Sequence, residues 1–206
     1  MASKRRRKQL QKEGRELEHR MDQRREAFND IALKLAATLV VLLVAAGAIW
    51  YLFYYEDVPD QAPAWNLQDS DNADKYWDST EFYDSGKPIL VEFIHTECGH
   101  CNAQADDTMW DIHNDYIGRM HLLAIGGFKL GNSVDDRMDL RNFKADHETY
   151  WPHLYDASGE LMSDYEFSSY PSFALVVDGL IVWDHSGEIP YDDLAKVLDQ
   201  YVEPEE

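Results

Sequence analysis

Cysteine is nearly missing from this chain: 206 residues hold only two, Cys98 and Cys101. That scarcity excludes a zinc-ribbon site, which needs a second ligand pair. It excludes a stabilising disulfide framework, because a bridge across so short a loop removes little chain entropy. It also excludes an electron relay through further internal thiols. Basic residues are scarce as well, once the first 34 residues are set aside. Residues 1–34 carry 11 Lys and Arg against 6 Asp and Glu, and the other 172 residues carry 8 basic and 33 acidic side chains. A body with a net charge of −25 repels phosphate, which argues against nucleic-acid binding. Adaptation to salty surroundings, plain solubility and attraction for basic partners all remain open as reasons for the acid excess.

Charge is absent altogether from Leu35 to Tyr55, a run of 21 residues. At 1.5 Å per residue such a helix spans a bilayer core of about 30 Å. Trp50, Tyr51, Phe53, Tyr54 and Tyr55 stand at its end like an interfacial aromatic belt, where a cleaved signal peptide would have small and polar residues. The run therefore reads as a retained signal anchor. Lys4, Arg5, Arg6, Arg7, Lys8, Arg24, Arg25 and Lys34 precede it, and Glu56, Asp57 and Asp60 follow it. The positive-inside rule then leaves residues 1–34 in the cytoplasm and the acidic body outside the plasma membrane. Leu10, Leu17, Met21, Phe28, Ile31 and Leu35 fall on a seven-residue frame interrupted by Gly14 and Arg24, so 1–34 reads as a basic helical segment. It either lies near anionic lipid or pairs as a coiled coil.

Roughly 150 residues follow the anchor, enough for one domain with its own core, and 45% hydrophobic with 13% aromatic content fits a folded chain. Residues 56–85 read as a linker and N-terminal extension, polar and Pro-containing over 56–72, with a helix expected over 74–83. Pro88 to Ile94 is a nearly continuous apolar run, as in a strand buried on both faces. A helix is expected from about Cys98 to Tyr116, a strand over 120–125, and a polar helix over 133–147. Asp178-Gly179 between Phe173–Val177 and Leu180–Asp184 signals a hairpin. A last helix starts near Pro190, with Leu194, Val197, Leu198 and Tyr201 at i, i+3, i+4, i+7 spacing. The sum is an α/β domain with a mixed sheet and helices on its faces.

Cys98-Gly99-His100-Cys101 sits between the apolar strand and the helix that follows. Helix N-termini stabilise a thiolate, so the pair reads as redox-active. An exterior location suits disulfide chemistry, in agreement with the charge argument. Glu92 lies among apolar neighbours on the strand before the pair and reads as buried. His113, Trp110, Met109, Trp77, Trp151 and Trp183 read as packing or rim residues.

The order of elements, with CxxC after the first central strand and Pro171 before the hairpin, resembles the thioredoxin fold over about 86–203. Val91-Glu92-Phe93 and the CGHC tetrad are similar to the active-site strand of protein disulfide isomerase domains. Ala62 to Asp69, Gly86-Lys87-Pro88-Ile89 and the stretch Tyr155 to Glu160 resemble membrane-anchored thioredoxin-like reductases related to redoxins. The resemblance implies a thioredoxin-like domain over 86–206 that acts as a protein-disulfide oxidoreductase without a cofactor. It implies that Cys98 is the exposed nucleophile and Cys101 the buried resolving thiol, and that His100 assists the Cys98 thiolate. Glu92 would take the Cys101 proton, and Pro171 would be a cis-proline against the pair, with Tyr170, Ser172 and Gly99 touching substrate. The partners implied are protein thiols and disulfides outside the membrane, and a membrane redox partner that recharges the pair.

Two departures stand out: Glu97 occupies the place of the usual Trp before the first Cys, and Ser169 that of the usual Gly before the cis-proline. The alternative is a copper-delivery module in which Cys98, Cys101 and His95 would be metal ligands, as in copper-binding relatives of the fold.

Overall fold

The computed structural model describes residues 60–204, together with residue 21 and residues 33–35 and 37–48. Of the basic segment's seven-residue frame, Met21 and Leu35 are described and the other positions are not; the aromatic belt of the expected anchor lies outside the described residues. Residues 37–48 are helical and exposed, and among the described residues no helix is long and apolar enough to cross a membrane. The chain divides into two units, Met1–Val58 and Pro59–Glu206. Both cysteines and the whole sheet belong to the second.

Among the described residues seven strands form one mixed sheet, in the order β2 (Tyr76–Asp78), β1 (Asn66–Asp69), β7 (His153–Tyr155), β4 (His121–Gly126), β3 (Ile89–Phe93), β8 (Ser172–Val177) and β9 (Leu180–Ser186). Its centre is β3, parallel to β4 and antiparallel to β8. All five β3 residues are buried, because helices or loops cover both faces of the sheet. Alternation along the strand then divides the core in two. Ile89, Val91 and Phe93 enter a cluster with Leu123, Ile125, Phe128 and Phe167. Leu90 and Ile94 enter the other, with Cys98, Cys101, Met109, Ile112, Phe173 and Leu194. Glu92 shares the parity of Leu90 and Ile94, so its carboxyl is on the face that carries the two cysteines.

After β3 the chain forms α2 (Gly99–Gln104), a π-helical turn (Ala105–Met109) and α3 (Trp110–Tyr116), in line with the expected helix. The hairpin of β8 and β9 (Leu180–Ser186) turns on Asp178 and Gly179, both at positive φ, as a two-residue hairpin turn requires. The closing helix α6 (Tyr191–Leu198) follows Pro190 and buries Leu194 and Leu198.

Three expectations are corrected. The tether is part of the fold: β1 (Asn66–Asp69) joins the sheet, Trp65 and Leu67 are buried, and Ala62 N–H donates to Gly179 O at 2.9 Å. Its apolar residues are too few and too closely followed by Asp and Asn to register as a strand pattern. The helix expected over 74–83 is half a strand, β2 (Tyr76–Asp78), followed by α1 (Ser79–Tyr83). Tyr76 and Trp77 suit a pleated edge, and the Asp78 carboxylate caps the helix by accepting the Thr80 N–H. The segment 133–147 opens as a small hairpin, β5 (Lys129–Leu130) with β6 (Ser133–Val134), before α4 (Arg137–Asp146) begins under an Asp136–Asp139 capping box. The long stretch from Gly126 to Tyr170 also supplies β7 (His153–Tyr155) and α5 (Leu161–Asp164).

Candidate redox site

Cys98 is the N-cap of α2, with extended backbone (φ −81°, ψ 113°), and its Sγ accepts the Cys101 N–H at 3.4 Å. A sulfur held there faces the backbone amides of the first helical turn, which have no partner within the helix. Both thiols are free. Cys101, one turn on, is fully buried, and burial pushes its thiol well above the usual range, with Glu92 and Cys98 adding to the shift. Cys98 is 7% exposed, less than the open nucleophile expected from the sequence. Its thiol is tucked under the chain, 3.7 Å from the Tyr170 carbonyl oxygen.

The Tyr170–Pro171 peptide bond is cis, and its carbonyl oxygen faces the Cys98 thiol. Tyr170 is half-buried, its hydroxyl donates to Lys129 O at 3.2 Å, and burial raises its phenol to about 12. Glu92 is 2% exposed, and burial lifts its carboxyl to about 8; one carboxyl oxygen has no hydrogen-bond partner. A carboxyl poised there can hold or release a proton near neutrality.

His100 is turned outward, with Nδ1 2.6 Å from Glu188 Oε1, so its partner is a carboxylate rather than the Cys98 sulfur. Gly99 is exposed and lines the groove beside the thiol. Ser172 is a correction. It is fully buried, with its hydroxyl donating to Ser169 O at 2.7 Å and 3.0 Å from Ser186 Oγ, so it shapes the cis-proline loop and cannot touch a substrate. As the first residue of central strand β8, it turns its side chain into the interior.

His95 is wholly buried, its Nδ1 accepts the Glu97 N–H at 3.1 Å, and it lies 3.5 Å from Asp135 Oδ1. Among the described residues no group of three or more His, Cys, Asp or Glu side chains is gathered to hold a metal ion. His153 and His185 stand apart from the cysteines, His153 behind Thr149 Oγ1 and His185 stacked on Trp183.

Sequence reasoning missed the residues that frame this site from far along the chain. A groove of about 690 Å³ opens beside Cys98, walled on one side by Glu97, Gly99 and His100. The other wall is Phe128, Lys129, Leu130, Met162 and Phe167, all from the stretch between β4 and Tyr170. Asp135 accepts from the Thr96 backbone and hydroxyl, and Asn102 and Gln104 hold neighbouring carbonyls. The one available signal was the length of that stretch.

No protein-family model matches the sequence, and no curated protein matches it. Solved structures do. The thioredoxin domain of a thiol-disulfide oxidoreductase from Bacteroides vulgatus is 19% identical with a TM-score of 0.57, covering 72% of this chain and 99% of that one. The exposed lipoprotein thioredoxin Etrx1 of Streptococcus pneumoniae is 22% identical with a TM-score of 0.55, covering 67% and 99%. A secreted Mycobacterium tuberculosis disulfide oxidoreductase homologous to E. coli DsbE is 17% identical with a TM-score of 0.54, covering 64% and 92%.

The fold is that of thioredoxin. In this chain the two cysteines stand where central strand β3 gives way to α2, Glu92 is buried on the same sheet face, and the Tyr170 carbonyl faces the Cys98 sulfur. Glu97 stands immediately before the pair, its backbone N–H donated to His95 Nδ1.

Proposed function

We propose that this chain is a protein thiol–disulfide oxidoreductase, anchored in the plasma membrane by residues 35–55, that exchanges disulfides with protein cysteines outside the cell. The observation that carries the reading is the Cys98 sulfur at the helix N-cap, backed by a buried Cys101 thiol and faced by the carbonyl of the Tyr170–Pro171 peptide. The names of similar structures, oxidoreductases among them, support it.

In the reducing direction the Cys98 thiolate attacks one sulfur of a substrate disulfide. A bond forms between that sulfur and Cys98 Sγ, the substrate S–S bond breaks, and the departing thiolate takes up a proton. Glu92, as carboxylate, then accepts the Cys101 proton. The Cys101 thiolate attacks Cys98 Sγ, which forms the Cys98–Cys101 disulfide and releases the second substrate sulfur. Two electrons pass to the substrate, and the internal pair is oxidised. The reverse sequence oxidises a substrate dithiol. A membrane redox partner restores the pair, and no organic cofactor is needed.

The groove walled by Phe128, Leu130, Met162 and Phe167 fits an apolar side chain next to the substrate cysteine, and the acidic body attracts basic substrates. Anchoring rests on the uncharged run and the basic residues before it.

Trapping tests the reading. A Cys101→Ala variant in cell membranes is expected to accumulate protein adducts that dithiothreitol releases and that vanish when Cys98 is also removed. Absence of adducts at matched expression would contradict it. Protease added outside should digest the acidic domain of the anchored chain and spare residues 1–34.

A further inference from the structure

The loop that presents Cys98 is gripped by both ends of helix α4. Thr96, two residues before the nucleophile, has all three of its polar groups engaged by side chains. Asp135, just ahead of α4, accepts the Thr96 N–H on Oδ2 at 2.8 Å and the Thr96 hydroxyl on Oδ1 at 2.6 Å. Asn102 Nδ2 donates to the carbonyls of Thr96 and Cys98, at 3.0 and 2.7 Å. With its nitrogen so engaged, the Asn102 amide oxygen faces Nε2 of His147, the C-cap of α4, at 2.8 Å. Asp135 is 2% exposed, and placing a carboxyl there carries a desolvation cost that its hydrogen bonds must offset.

We propose that Asp135 is a positioning residue for the Cys98 thiol: from the turn that opens α4, its carboxyl fixes Thr96, and through Thr96 the cap geometry in which the Cys98 sulfur meets the Cys101 N–H. This rests on the thiol-exchange reading of the site. The groups facing Asp135 are His95 Nδ1 at 3.5 Å, Asp139 on α4, and Tyr170 across the cis-proline loop. Burial pushes its carboxyl upward, and the two Thr96 bonds oppose that shift.

Two roles for this acid have opposite signs, which makes the proposal decidable. An acid acting only as a nearby negative charge would disfavour the Cys98 thiolate, so its removal would speed thiol chemistry. An acid that holds the cap favours the thiolate, so its removal slows that chemistry and makes the reduction potential more negative. The experiment is iodoacetamide alkylation of the reduced full chain in detergent at neutral pH, beside its reduction potential.

In Asp135→Asn, alkylation of Cys98 is expected to slow by roughly three- to tenfold, the range that one net hydrogen bond covers. Thr96→Val, which loses only the hydroxyl bond, is expected to slow less and in the same direction. An unchanged or faster rate in a folded Asp135→Asn protein overturns the proposal. If that variant does not fold, Thr96→Val decides by the same sign. A wild-type Cys98 no more reactive than free cysteine would overturn the exchange reading and this proposal together, whereas normal wild-type reactivity with unchanged variants overturns this proposal alone.

Discussion

Cys98 Sγ lies 3.4 Å from the backbone nitrogen of Cys101 and accepts its N–H, so the resolving residue's own amide helps hold the nucleophile. The two sulfurs are chemically unequal because one caps a helix at the edge of a groove and the other is fully buried. Cys98→Ser is expected to abolish disulfide exchange with an insulin-type substrate. Cys101→Ser keeps the first attack and stalls at the mixed disulfide. In native Cys98→Ser protein, Cys101 should be alkylated roughly a hundredfold or more slowly than in denaturant, since access needs local opening. Mass spectrometry of timed quenches reads this directly, and equal rates would refute the inequality.

Glu92 sets a pH dependence whose sign is fixed. Its folded-state value is raised from an ordinary 4.5 to about 8. The native state therefore keeps a proton that the unfolded chain releases, and stability falls as pH rises from about 4.5 through about 8. Glu92→Gln removes the titration and should be more stable than wild type at pH 9, by an amount on the order of a few kcal/mol. Exchange should slow in the same variant, because the Cys101 proton loses its acceptor. Chemical denaturation across pH 5–9 checks the first outcome and single-turnover kinetics the second.

His153 has the opposite sign. Burial, aided by the charges of Lys144 and His147, lowers it from 6.5 to about 3. The unfolded chain binds a proton that the native state refuses, so stability present above pH 6.5 is lost as pH falls toward 3. His153→Gln keeps a partner for Thr149 Oγ1, 2.8 Å from Nε2 in the wild type, and should flatten this acid-side loss. A denaturation midpoint with wild-type pH dependence between 6.5 and 4 would count against the assignment.

Gly127 and Gly99 make a contrasting pair. At Gly127 φ is +112°, and a Cβ would stand 2.3 Å from the Asp156 carbonyl oxygen, a backbone atom that cannot step aside. Gly127→Ala should cost about 2 kcal/mol or more, from strain and clash together. A Cβ at Gly99 would meet nothing within 4 Å, so Gly99→Ala should leave stability within about 0.5 kcal/mol. Thermal melts of the two variants compare them on one scale.

What the sequence made legible was local. The CGHC tetrad, the apolar β3 run, Asp178-Gly179 and the spacing of Leu194 and Leu198 each lie within a few residues. Those signals place central strand, helix start, hairpin and final helix. Glu92 could be read as buried because its neighbours along the strand are apolar. The frame of the site was not legible, because its contacts join residues far apart in the chain. Asp135 reaches Thr96 across 39 positions, His147 reaches Asn102 across 45, and Glu188 reaches His100 across 88. Nothing about an isolated Asp or His marks such a pairing. β1 and β7 were missed for another reason: strands of four and three residues are too short to show a period.

The reduction potential of Cys98–Cys101 in the full chain, equilibrated against defined thiol buffers and read by alkylation, tests the central claim most directly. A reversible two-electron couple is the predicted result. A value near about −270 mV would mark a reductase, and one near about −180 to −120 mV an oxidase or isomerase. Two thiols that never form a disulfide across that range, or one that no thiol buffer reduces, would contradict the redox account.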